Sequence, residues 1–214
     1  MAVLTISRQF GAGGKTLGAR VAKRLGYQFV DEYIMHRVAE EANVSVGWVE
    51  GVDREAGGRL MRALTTLVPS SFIERHLGET RCDLDEKKYC EFLIKIVKDL
   101  AEEDNVVILG RGAQFILKDH PETVKVLLVA ERPDRIQFLV DHYNLDPVKA
   151  EKLVTREEKK RERFLKNFYS GDHDNPELYH LILNTSHVDF DMAEEQICDL
   201  VLKHVDQTAK PIWD

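Results

Sequence analysis

Three observations predict an α/β fold with a parallel sheet. Short apolar runs recur along the chain, amphipathic helical stretches separate them, and the first run leads straight into a glycine-rich turn. Short apolar strands separated by helices are the mark of a parallel sheet buried on both faces. The expectation is therefore five strands with helices on both faces, plus a helical insertion and a lid.

The first strand, Val3-Leu4-Thr5-Ile6, gives way to Gly11, Gly13 and Gly14, and then to a helix opening at about Lys15. That helix runs to Leu25, with Leu17, Val21 and Leu25 at helical spacing, and Gly26 stops it. Tyr27-Gln28-Phe29-Val30 forms a short second strand ending at Asp31-Glu32, and 33–42 reads as a helix carrying Arg37. From 43 to 86 the pattern loosens into short helices broken by Gly57-Gly58 and Pro69, which marks an insertion rather than a core layer. A long amphipathic helix follows at 85–103, with Tyr89, Phe92, Leu93, Ile96, Val97 and Leu100 on its buried stripe. Val106-Val107-Ile108-Leu109 is the third strand and ends in Gly110-Arg111-Gly112; the fourth covers 124–129, set off by Pro121 and Arg132-Pro133. Helices are expected at 133–142 and from 148 to about 168. Leu181-Ile182-Leu183 supplies the fifth strand, and 191–205 the last helix.

The chain has 214 residues, enough for one well-buried α/β domain with an elaboration. The expected core is about 1–42, 87–149 and 173–214, with the insertion at about 43–86 and the lid at about 150–172. No apolar run is long enough to cross a bilayer, and no basic leader precedes the first strand, so the expected setting is cytoplasmic and away from membranes. Cys82, Cys90 and Cys198 lack metal or disulfide spacing. A net charge of −7 argues against broad nucleic-acid binding, so a local basic cluster reads as a site for a small anion.

The turn is built like a phosphate cradle. Glycines let successive N–H groups converge on an anion, and the helix behind them adds its positive end. Gly11, Ala12, Gly13, Gly14, Lys15, Thr16 and Leu17 form the expected nucleotide-binding segment. Lys15 would neutralise the outer phosphates and Thr16 would offer its hydroxyl to Mg2+, as these residue types do in a P-loop. The first glycine of that motif is replaced by Gln9. Since ligands of parallel sheets bind beyond the carboxyl ends of the strands, the loop shares one cleft with Asp31 and Arg37, Arg111, and Asn184-Thr185-Ser186. Asp31 would support magnesium through water, orient Arg37, or cap the next helix, and Arg37 has Glu41 one turn away as an alternative partner. In the charged helix Arg156, Lys160 and Arg163 recur on one stripe. There Glu157 and Glu158 are placed to pair with Arg161, and Glu162 with Lys166.

Together Ile6-Ser7-Arg8-Gln9-Phe10-Gly11-Ala12-Gly13-Gly14, Asp31-Glu32-Tyr33-Ile34 with Arg37, Gly110-Arg111-Gly112-Ala113, the basic run after Thr155 and Asn184-Thr185-Ser186 resemble the cytidylate kinase-like proteins, a group of P-loop nucleoside-monophosphate kinases. The resemblance covers nearly the whole chain and implies the P-loop NTPase fold. It implies that the first loop holds ATP phosphates and that Arg37 and Arg111 hold the acceptor phosphate, with Asp31 beside them. It also implies that Thr185 and Ser186 lie near the adenine, and that Arg156, Lys160, Arg161 and Arg163 reach the γ-phosphate. Two departures stand out: the loop lysine comes one place later than in cytidylate kinase, and Gly112 replaces an aspartate that helps hold the acceptor nucleoside.

The function this implies is ATP- and Mg2+-dependent phosphoryl transfer to a small-molecule nucleotide, foremost CMP or dCMP. The alternatives are a kinase of another small phosphorylated acceptor and a nucleotide-binding sensor without turnover. Trp48, Leu60, Leu64, Leu67 and Phe72 in the insertion make a second copy of the chain a candidate partner.

Overall fold

The computed structural model describes residues 2–31, 33–42 and 86–207. The chain divides into two compact units, one of Met1–Asp31 with Val97–Asp214 and one of Glu32–Ile96. All five strands lie in the first unit: β1 (Val3–Arg8), β2 (Gln28–Val30), β3 (Val106–Leu109), β4 (Thr123–Val129) and β5 (Leu181–Asn184). They form one parallel sheet in the order β2-β3-β1-β4-β5, with Val3 opposite both Val106 and Thr123.

The strands follow from their composition. Val, Ile and Leu make up all of β3, and Val and Leu five of the seven residues of β4; every residue of β3 is buried, as a strand covered on both faces requires. Alternate residues of β1 then divide between the faces. Leu4 and Ile6 join a core with Leu17 and Val21 of α1 (Gly14–Leu25) and Ala193, Ile197 and Val201 of α7 (Phe190–Gln207). Thr5 and Ser7 face the other way, where Gln114 of the short α4 (Ala113–Ile116) lies within 3.4 Å of the Ser7 hydroxyl. Helices therefore cover both faces. A second apolar cluster, Leu139, Ala150 and Val154, joins α5 (Arg132–Tyr143) to α6 (Pro147–Leu165), and Phe10 of the glycine loop packs into it.

The second unit contains α2 (Tyr33–Ala42), with Ile34 and Ala39 buried, and the first part of α3 (Glu86–Glu102), with Tyr89, Leu93 and Ile96 buried. The helices expected within 43–85, and the five apolar residues placed there as a dimer surface, lie outside the described residues. Among the described residues no helix is long and apolar enough to cross a membrane.

Three elements differ from expectation. The charged helix ends at Leu165 instead of about 168, because the N–H groups of Phe168 and Tyr169 both turn back to the Leu165 carbonyl at 3.0 Å. That turn sends the two rings toward Gly112 and Phe115. The helix α4 and a single 3-10 turn at Pro176–Leu178 were not expected, being too short to show a period.

Candidate functional site

The glycine loop is tightly surrounded. Gly11 has φ 91° and Gly13 φ 77°, backbone angles that L side chains rarely adopt. A Cβ on Gly11 would meet the Arg135 carbonyl oxygen at 2.7 Å, and one on Gly13 would enter the Phe190 ring. The loop is tied to the sheet by Gln9, whose N–H donates to the Leu128 carbonyl at 2.9 Å and whose Oε1 accepts from the Ala130 N–H at 3.2 Å. Gln9 thus serves as a strut to the end of β4 where the P-loop pattern has a glycine. Gly13 caps α1 without any side-chain bond and no acidic residue lies in the first turn, so the positive end of the helix meets no carboxylate of its own.

The structure brings several expected residues to this loop. Lys15 Nζ lies 3.4 Å from Asp31 Oδ2, so the carboxylate after β2 faces the loop lysine. The Thr185 hydroxyl lies 3.3 Å from the Ala12 carbonyl, joining the turn after β5 to the loop, while Ser186 Oγ accepts from the Glu131 N–H at 2.8 Å. Thr16 and Leu17 sit in the first turn of α1, Thr16 half-buried and Leu17 fully buried. Arg111 follows β3 in a run of three left-handed residues, with φ of 71°, 57° and 68° at Gly110, Arg111 and Gly112. Arg37 lies in the second unit, on α2.

The basic run of α6 divides. Arg156 is exposed and paired with its neighbour Glu157 at 2.8 Å, Arg163 is exposed, and Lys160 is half-buried. Arg161 turns inward: it donates to both carboxylate oxygens of Asp174, at 2.7 and 3.3 Å, and to Ser7 Oγ at 3.0 Å, at the foot of the glycine loop. The expected pairing of Arg161 with Glu157 and Glu158 is replaced, because Glu158 faces α5. There it accepts from Arg135 at 2.5 Å and from Arg132 at 3.0 Å. The expected pair of Glu162 with Lys166 forms at 3.0 Å.

A cavity of about 340 Å³ opens here among Gln9, Glu158, Arg161, Lys166, His173 and Asp174. Gln114 Oε1, Arg135 Nε and His173 Nε2 are buried without a hydrogen-bond partner among the described residues, which leaves polar capacity for water or a ligand. Burial pushes the Tyr179 phenol above its ordinary range; the hydrogen bond to Ser7 and the charge of Arg161 partly offset this. Among the described residues no group of three or more His, Cys, Asp or Glu is placed to hold a metal ion.

Sequence reasoning missed Arg135 beside Gly11, its companion Arg132 on Glu158, and Asp174 and the Ser7 hydroxyl as the partners of Arg161. For Arg132 and Arg135 a signal existed, since two arginines one turn apart open a helix just after β4, on the cleft side of the sheet. Asp174 gave none.

The family model described as the cytidylate kinase-like family matches residues 3–187. A cytidylate kinase of Thermococcus kodakarensis is 25% identical over 187 residues, spanning 86% of this chain and 80% of that one. Among solved structures, an uncharacterized protein from Eubacterium ventriosum superimposes with a TM-score of 0.66 at 18% identity, covering 94% of this chain and 98% of the other. A shikimate kinase from Bacteroides thetaiotaomicron does so with a TM-score of 0.50 at 17% identity, covering 94% and 98%. At these identities the two structures speak for the fold.

Proposed function

The chain belongs to the cytidylate kinase-like family, and from that premise we propose that it transfers the γ-phosphoryl group of ATP to a nucleoside monophosphate, foremost CMP or dCMP. The family and the P-loop fold support a phosphotransferase of the nucleotide-kinase kind. One observation carries the reading furthest: a lid arginine, Arg161, hydrogen-bonds the foot of an uncapped glycine loop whose lysine faces a carboxylate at the same edge of the sheet.

The roles follow from charge and position. Loop amides from Gly11 to Thr16 and the end of α1 hold the donor phosphates, Lys15 neutralises them, and Leu17 anchors the first turn in the core. Magnesium would arrive with the nucleotide, and the Thr16 hydroxyl and Asp31 carboxylate are oxygen donors of the kind it takes. Thr185 and Ser186 border the adenine. Arg111 holds the acceptor phosphate, an arginine fork being suited to bidentate phosphate contacts; for Arg37 the same role rests on the resemblance alone. Arg161 serves the transferring group, and Arg156, Lys160 and Arg163 line the outer face of a lid at about 150–172. Residues 1–214 act as one kinase-like domain with an acceptor-side insertion at about 43–86. Positioning and charge neutralisation constitute the chemistry, since the acceptor phosphate is itself the nucleophile.

A kinase of another small phosphorylated acceptor is the second reading. The observation that favours it is the closed position at Gly112, where the Phe168 ring stands 2.9 Å from a would-be Cβ and leaves no space for the aspartate of cytidylate kinase.

The test is ATP consumption with magnesium across nucleoside monophosphates and other small phosphorylated metabolites, with Lys15→Ala and Arg111→Ala alongside. Turnover on a cytidine nucleotide, lowered about 10²-fold or more by either substitution, is the expected result. ATP binding without turnover on any acceptor would overturn it.

A further inference from the structure

The loop after β3 has two unlike neighbours. A Cβ at Gly110 would run into Arg8 Nη1, so a guanidinium lies against one flank of Arg111. A Cβ at Gly112 would meet Cδ2, Cε2 and Cγ of Phe168 at 2.9, 3.1 and 3.3 Å, so an aromatic ring lies against the other. Neither glycine is replaceable by a side chain that would alter this, because both have positive φ and both lack space. The loop therefore passes from a cationic neighbour to an apolar one across the single residue Arg111.

Two ring contacts hold the segment that carries Phe168. The Phe168 ring packs on Phe164 with centroids 5.3 Å apart, and the next residue, Tyr169, stacks on Phe115 at 5.0 Å and 9°. Phe115 belongs to α4, which begins directly after Gly112, so the end of the lid helix is fixed to the loop by two aromatic contacts. Phe168 is nevertheless only half-buried, and part of its surface remains for a ligand.

We infer that Phe168 is a specificity-determining residue of the acceptor site, one that selects phosphomonoesters carrying a planar aromatic base over phosphomonoesters of equal charge without one. The inference rests on the assignment of Arg111 to the acceptor phosphate made above. With the phosphate at Arg111, the body of the acceptor meets a flat ring on the Gly112 flank, where no hydrogen-bonding side chain fits. Base–aromatic stacking is tolerant of base identity, so the ring selects for a base as such and leaves the choice among bases to other groups.

The experiment compares kcat/KM for CMP and for ribose 5-phosphate, together with KM for ATP, in the wild-type chain and in Phe168→Ala and Phe168→Leu. The expected result is a fall of about tenfold or more in the preference for CMP in both variants, with KM for ATP unchanged. Leucine keeps the apolar volume without the ring, so it carries the test if alanine impairs folding. A uniform loss on both acceptors, an unchanged preference, or a wild-type chain that uses ribose 5-phosphate as well as CMP would overturn the inference. A wild-type chain that turns over neither acceptor would instead overturn the proposed transfer to a cytidine nucleotide, and with it the acceptor site on which the inference rests.

Discussion

His180 precedes β5, and its Nδ1 accepts a hydrogen bond from the Lys125 N–H at 3.0 Å. Burial holds its imidazole below the ordinary histidine value, and the charges of His204 and Lys125 add to the effect. With the folded pKa below the unfolded one of about 6.5, the unfolded chain takes up its proton first as pH falls. This contribution to stability is complete above about pH 6.5 and is lost as pH drops through the folded pKa. Urea midpoints measured from pH 7.5 down to 5 should decline, and less steeply in His180→Asn, which keeps an acceptor for Lys125. Single residues were also where the sequence was least legible. Helical spacing pairs Glu158 with Arg161, yet the actual partners are Arg135, 23 positions earlier, and Asp174, 13 positions after Arg161. A rule for neighbours on one helix has no access to partners on another.

Between elements, α5 and α6 are joined by the Leu139, Ala150 and Val154 cluster and by Glu158, which bridges Arg132 and Arg135. Arg135 is only 6% exposed and leans on the glycine loop through Gly11. Glu158→Ala therefore strips the counter-ion from a buried guanidinium. Breaking a fully buried pair costs about 3–5 kcal/mol; with the Glu158 side chain 34% exposed, a loss on the order of 2 kcal/mol is expected in urea unfolding. An unchanged midpoint would show that the bridge contributes nothing to stability. Elements of ordinary length were readable from sequence, because an apolar run such as Val106–Leu109, too short for a helix, rich in β-branched residues and closed by Gly110, fits a doubly covered strand. The four-residue α4 was not, since one turn is shorter than the period that identifies a helix, and its place is set by Ser7 and Tyr169 from distant parts of the chain.

For the whole molecule, Cys198 reports on the core. Burial pushes its thiol up to about 11, so at pH 8 the reactive thiolate is scarce while α7 stays packed on the sheet. In a Cys82→Ser, Cys90→Ser background, iodoacetamide labelling of Cys198 should be negligible in buffer and should rise along the urea unfolding curve; fast labelling in buffer would show that α7 opens independently. The sheet order also sets a schedule. β1 lies at the centre, and both of its neighbours, Val106–Leu109 and Thr123–Val129, come about 100 residues later in the chain. On a ribosome adding about 5–20 residues per second, the strand that bears the phosphate loop is synthesised roughly 5–20 seconds before either neighbour has been made. For that interval a nascent strand carrying Val3, Leu4 and Ile6 has neither of its native neighbours to pair with, and its protection falls to chaperones or to the pace of translation itself.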